Sequence, residues 1–187
     1  MGVRRLDVAH VTWSVGEIGA LSVKAVRGAG YSWGVAEEAG WAVRWLIRAG
    51  IDGSAVLANA LDDEDIASLL EGISWADRGL IPNQLVPARS ILALPFVSAM
   101  APKDGTLIFG VGEQAWKLSK IGCSQPLPSD VLNYRGTGPA ASFQTANRAT
   151  TEPAVITRLS SLAATTYAPS TQASRLSGAG AGLTDND

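Results

Sequence analysis

Apolar residues recur along the N-terminal quarter of the chain at helical rather than strand spacing. Ile18, Leu21, Ala25 and Ala29 mark one face, with Val15, Ser22 and Val26 beside it, which predicts a helix beginning near Ser14. Ser14 and Glu17 stand in the S-x-x-E relation of a capping box, in which each side chain satisfies a free backbone N–H of the first turn. Gly30 sits where a C-terminal cap belongs. A second helix opens at Ser32 or Trp33 and closes at Gly50. Its first turns carry Glu37 and Glu38 and its last turns Arg44 and Arg48, the order that the helix dipole favours. Ala36, Gly40, Val43 and Ile47 form one stripe and Trp41 and Trp45 another, so this helix is apolar over much of its circumference and belongs at the centre. So short a connection between the two implies an antiparallel αα-hairpin.

The pattern weakens beyond residue 50. Leu57 to Leu61 reads as one or two helical turns. Asp62 then caps a short helix that turns Ile66, Leu69 and Leu70 inward and ends at Gly72. Gly79, Pro82 and Pro87 punctuate a loop over 78–90. Ile91 to Met100 fits either a buried helix entered after Pro87 and kinked at Pro95, or an extended segment. Alternation appears at Thr106 to Val111 and Gln114 to Lys120, a hairpin turning at Gly112-Glu113. Residues 122–151 read mostly as loop, with a strand candidate at Val131 to Tyr134. A last long helix starts with Thr150-Thr151 as cap and Pro153 in its first turn. It buries Val155, Ile156, Leu159, Leu162 and Ala163, and stops at Tyr167-Ala168-Pro169. The expected fold is therefore α+β: a mainly helical body with an N-terminal αα-hairpin, a small antiparallel sheet and a C-terminal helix. It forms one domain over 1–187, with 1–12 as an N-terminal extension.

Composition narrows the function classes. The 187 residues carry a net charge of −2, which gives no long-range attraction for phosphate backbones, so no nucleic-acid partner is expected. Cys123 is the single cysteine and forms no internal disulfide, which fits a reducing cytoplasm. The longest apolar run, Ile91 to Ala101, is about half the length of a membrane span and contains Pro95. No secretory segment is visible at the N-terminus. The chain is thus expected to be soluble and cytoplasmic, without a membrane partner.

Candidate chemistry is sparse. His10 and Cys123 lack the spacing of a zinc site, and no nucleophile-elbow pattern accompanies His10. The glycines from Gly178 to Gly182 follow a helical pattern instead of a strand and lack the Gly-Lys-Ser/Thr ending of a phosphate loop. No metal site and no cofactor are expected. The strongest physical feature is tryptophan: Trp13, Trp33, Trp41 and Trp45 gather in the hairpin, with Tyr31 beside them. Such residues fill a core, or else line a pocket or anchor an interface when they are exposed.

Two stretches are distinctive. One is Val23-Lys24-Ala25-Val26-Arg27-Gly28-Ala29-Gly30-Tyr31-Ser32-Trp33-Gly34-Val35-Ala36-Glu37-Glu38-Ala39-Gly40. The other is Leu162-Ala163-Ala164-Thr165-Thr166-Tyr167-Ala168-Pro169-Ser170-Thr171-Gln172-Ala173-Ser174-Arg175, with the Gly-Ala run and Asp185-Asn186-Asp187 after it. Together they resemble a bacterial family catalogued as domain of unknown function 3726, from about residue 13 to the C-terminus. The resemblance implies a single-domain soluble protein and no particular chemistry. It also implies that Arg175 and Asp185-Asn186-Asp187 belong to a family pattern, so that the tail docks. The N-terminal helices are more faintly similar to the opening of the malate/lactate dehydrogenase family, whose cofactor motif this shorter chain lacks.

Two functions follow as expectations. The first is a non-catalytic binding or assembly protein, with a second copy of the chain or a small molecule as partner. The alternative is a small-molecule enzyme whose site joins the hairpin to the tail. In that site Trp33, Glu37, Glu38, Arg175, Asp185, Asn186 and Asp187 would bind a ligand, Arg175 would hold a carboxylate or phosphate, and Glu37, Glu38 or a tail aspartate would move a proton. In a purely structural reading, Arg175 instead pairs with the tail carboxylates.

Overall fold

A computed structural model describes residues 11–62, 66–79, 91–101, 107–111, 114–119, 122–123, 127–128 and 146–166. Strand β1 (Val11–Ser14) leads directly into helix α1 (Val15–Gly28). The capping box forms as the sequence predicts: Glu17 N–H donates to Ser14 Oγ at 3.1 Å, and Ser14 N–H donates to Glu17 Oε2 at 2.9 Å. Ala29 caps the other end, and Gly30 takes the left-handed conformation, φ +96°, that lets the chain reverse. Helix α2 (Trp33–Arg48) begins at Ser32, whose Oγ accepts from Val35 N–H. The helices pack against each other as the expected hairpin.

Helix α3 (Gly53–Asp62) is longer than the one or two turns expected from Leu57. Asp62 is its last residue, so it is not the cap of the next helix. Helix α4 (Ala67–Arg78) runs straight through Gly72 and ends at Gly79, φ +61°. Gly72 is interior because Phe96 lies against it: a Cβ there would stand 2.8 Å from the ring. Leu70, expected inward, is 41% exposed. The ambiguous segment resolves into a 3₁₀ turn (Ile91–Ala93) and helix α5 (Leu94–Ala99). Pro95 occupies the first turn of α5, where its missing N–H costs nothing, and so produces no kink.

The expected hairpin forms from β2 (Leu107–Val111) and β3 (Gln114–Ser119). The two-residue strands β4 (Gly122–Cys123) and β5 (Leu127–Pro128) both pair antiparallel with β3. Helix α5 lies against this sheet. The strand candidate at 131–134 lies outside the described residues.

A second sheet departs from the expectation. Strand β6 (Arg148–Thr151) lies within the stretch that reads as loop and pairs antiparallel with β1, Trp13 opposite Ala149 and Ser14 opposite Arg148. Val11 and Thr12 thus belong to the fold and not to an extension. Thr150 and Thr151 are strand residues; the helix that follows, α6 (Pro153–Ala164), is capped by Glu152 without a side-chain hydrogen bond. The fold is α+β, as expected.

One cluster of buried side chains joins α1, α2, α3, α4, α5, β6 and α6. Ile18, Val26, Val43, Leu46, Leu57, Leu69, Leu92 and Leu159 are all fully enclosed. Helix α6 lies on α1 so closely that a Cβ at Gly28 would sit 1.8 Å from Leu162 O, and Thr165 Oγ1 donates to Gly28 O at 2.9 Å. The far end of the described chain therefore returns to the N-terminal hairpin. Arg158 pairs with Asp62 at 2.5 Å, tying α6 to α3 at the surface. Among the described residues, no helix is long and apolar enough to cross a membrane.

Candidate functional site

The tryptophans of the hairpin divide into two kinds. Trp13, Trp41 and Trp45 are partly buried and pack against the core, Trp41 meeting Phe96 edge-on with ring centroids 5.1 Å apart. Trp33 is different: 62% of it is exposed. It is the first residue of α2, so its side chain projects from the end of the hairpin where α1 finishes. The turn that precedes it is fixed from within. Tyr31 N–H donates to Val26 O at 3.2 Å, and the Arg27 guanidinium reaches across the turn to donate to Tyr31 O. The same Arg27 lies over the Trp33 ring, Cζ 5.0 Å from its centroid. A cation–π contact at such a surface position contributes about 0.5–1 kcal/mol. It favours this position of the indole and leaves most of Trp33 exposed.

Glu37 and Glu38 are exposed on α2, one turn after Trp33. The structure thus places three of the expected site residues on one helix end. Arg175, Asp185, Asn186 and Asp187 lie outside the described residues. Arg27 is the residue that sequence reading missed. Its signal was its place in the last turn of α1, six positions before Trp33 across a glycine-containing reverse turn.

Among the described residues, one further cleft and one shifted carboxyl serve the fold. A cleft of about 170 Å³ lies between the α2–α3 turn and β6, lined by Ile47, Ile51, Asp52, Arg148 and Ala149 among others. That is below the size of ordinary small-molecule pockets, about 300 Å³ and upward. Its polar groups are already engaged. Asp52 Oδ1 accepts from Ser54 Oγ at 2.5 Å and Ala55 N–H at 3.1 Å, capping α3, and Arg148 donates to Thr12 O at 3.2 Å. The Glu17 carboxyl is held below its ordinary value by the Ser14 side chain, then by the Ser14 backbone N–H and, more weakly, by Arg148. This is the electrostatics of a helix cap. Among the described residues, no group of three or more His, Cys, Asp or Glu side chains converges as a metal site would require.

No curated protein and no solved structure matches the chain. A family model matches residues 13–90, which begin inside β1 and carry α1 to α4, Trp33 and its arginine included. The match does not reach the C-terminal stretch that shares the sequence resemblance. Over residues 13–90, less than half of its length, the chain is similar to the family described as protein of unknown function (DUF3726).

Proposed function

We propose that this chain is a non-catalytic binding or assembly protein, and that the outer surface of the α1–α2 hairpin, centred on Trp33, is where it makes contact. One observation carries the reading: Trp33 is 62% exposed even with the Arg27 guanidinium over its ring. An exposed tryptophan keeps apolar surface in water, a cost that the remaining hairpin tryptophans avoid by packing on the core. Indoles of this kind, rigid and paired with arginine, are the usual anchors of protein contacts, because they bury a large area for little lost side-chain freedom. The remainder of the described surface offers no rival built from convergent acids, bases or nucleophiles.

Hydroxyl-radical labelling of Trp33 tests this reading. The purified, dilute chain is compared with the same chain in intact cells that produce it. Protection of Trp33 in cells, with the core-packed Trp13 of β1 labelled equally in both states, is expected. Equal labelling of Trp33 in the two states overturns the proposal.

A further inference from the structure

The outward side of helix α2 is exposed at both ends and half-buried in the middle. At about 100° per residue, Trp33, Glu37, Glu38, Trp41, Arg44, Trp45 and Arg48 fall within an arc of about 140°. The buried residues Ala36, Ala39, Ala42, Val43, Leu46 and Ile47 take the other side. On the outer arc Trp33, Glu37, Glu38 and Arg48 are exposed, while Trp41, Arg44 and Trp45 are half-buried. The chemistry along this arc is ordered. Both acids lie before Trp41 and both bases after it. Read in the opposite direction, the series is its own electrostatic complement.

We infer that this face binds a second copy of the chain, α2 against α2, antiparallel and related by a two-fold axis beside Trp41. The inference rests on the reading of the hairpin's outer surface as a contact site, and names its partner. With the axis at Trp41, Glu37 lies on the same side of the seam as Arg44 of the second copy and about 1.5 Å from its level. Glu37 stands within one helical turn, about 5.4 Å, of Arg48 of the second copy. Each pair occurs twice, as the isologous contact of a two-fold dimer demands. The two Trp41 side chains meet at the centre, and each Trp33 reaches past the far end of the other α2. Arg44 is held against α1 at Gly19, where an added Cβ would meet Arg44 Cγ and Nη1 at 2.7 Å and Cδ at 2.8 Å. A side chain held in this way loses little freedom when a partner arrives.

The same order of charges also suits the dipole of an isolated helix, and the experiment separates the two explanations. Glu37→Arg and Arg48→Glu are made singly in the full chain; both side chains are exposed, and far-ultraviolet circular dichroism verifies that each variant folds. Sedimentation equilibrium is measured up to about 100 µM for the natural chain, for each variant and for an equimolar mixture of the two. The natural chain is expected to dimerise. Each variant alone is expected to dimerise about tenfold more weakly or worse, because like charges face each other twice. The mixture is expected to dimerise more tightly than either variant alone. In the mixed dimer the Glu37→Arg chain presents a base at both positions and the Arg48→Glu chain an acid at both, so opposite charges face each other in both pairings of position 37 with position 48. A helix-dipole effect gives no such recovery, because mixing changes neither chain. A mixture no tighter than its components overturns the inference, and so does a natural chain that stays monomeric. Variants that dimerise as tightly as the natural chain overturn it too. In each of these cases the contact reading of Trp33 is still decided independently by its labelling in cells.

Discussion

A methyl group at position 28 has nowhere to go. A Cβ on Gly28 would lie 1.8 Å from Leu162 O and 2.6 Å from both Leu162 C and Thr165 Oγ1, so most of the obstruction is backbone and cannot rotate aside. Gly28→Ala would gain up to about 1 kcal/mol of helix propensity. The substitution nonetheless forces α1 and α6 apart, and a clash with backbone belongs at the upper end of overpacking costs, about 3 kcal/mol. Gly28→Ala is therefore expected to lower stability in urea-induced unfolding by about 2 kcal/mol or more. A variant as stable as the natural chain would mean that α6 does not rest on α1. At the other end of α1, Glu17 supplies a pH dependence of known sign. Its carboxyl titrates below the ordinary value of 4.5 because the charged form accepts from Ser14. A folded-state value that is depressed means stability present above the unfolded value and lost as pH falls through the folded one. Comparing the chain with Glu17→Gln by urea unfolding from neutral to acid pH, the natural chain's advantage is expected to be full at neutrality and to fade below 4.5. An advantage that persists in acid contradicts the capping role.

At the scale of elements, local and distant signals part company. Helices α1 and α2 are legible because their cues lie within a few residues of each other: Ser14 with Glu17, Ser32 with Val35, and Gly30 and Gly50 just past the ends. Strand β6 is not legible. Its four residues, Arg-Ala-Thr-Thr, carry almost no hydrophobic signal, and the strand exists because β1 lies beside it from more than 130 positions away, as in the bond from Arg148 to Thr12 O. Gly72 and Pro95 mislead in opposite ways. Glycine reads as punctuation, but Gly72 is an interior residue selected by the Phe96 ring, a tertiary fact. Proline reads as a kink, but Pro95 starts a helix instead of interrupting one. Of the site, Trp33, Glu37 and Glu38 are legible in the sequence, whereas Arg27 is not, because its role depends on the reversal that brings it over the indole. The ion pair between Arg158 and Asp62 shows the limit of surface contacts between elements. Both side chains are more than two-fifths exposed, so solvent screens the pair, and its worth falls below about 1 kcal/mol. The docking of α6 rests on Leu159 and the close approach at Gly28 instead.

The whole molecule raises the question of what the family segment can do alone. Residues 13–90 contain the hairpin, α3 and α4, yet the core that encloses them is completed from outside that span. Leu92 and Phe96 come from the segment of α5, Ala149 from β6 and Leu159 from α6, each at most 4% exposed. Without them the inward faces of α1, α2 and α4 open to water. A fully buried Leu or Phe is worth about 1.5–3 kcal/mol in transfer free energy, so removing three of them takes away about 4.5–9 kcal/mol, comparable with the net stability of a typical domain. The fragment 13–90 is therefore expected to show residual helicity but no cooperative thermal transition by circular dichroism. The full chain is expected to melt in a single transition. The geometry also says what restores order. A synthetic peptide covering 146–166 supplies β6 and α6, and with them the partner of Trp13 on β1 and the contact at Gly28. Titrating that peptide into a fragment covering residues 11–145 is expected to raise helicity to a saturable limit, and the Gly28→Ala fragment is expected not to respond. Cooperative melting of 13–90 on its own would show that the hairpin needs no cover from α5 and α6, and would place the stability of the molecule entirely in its N-terminal half.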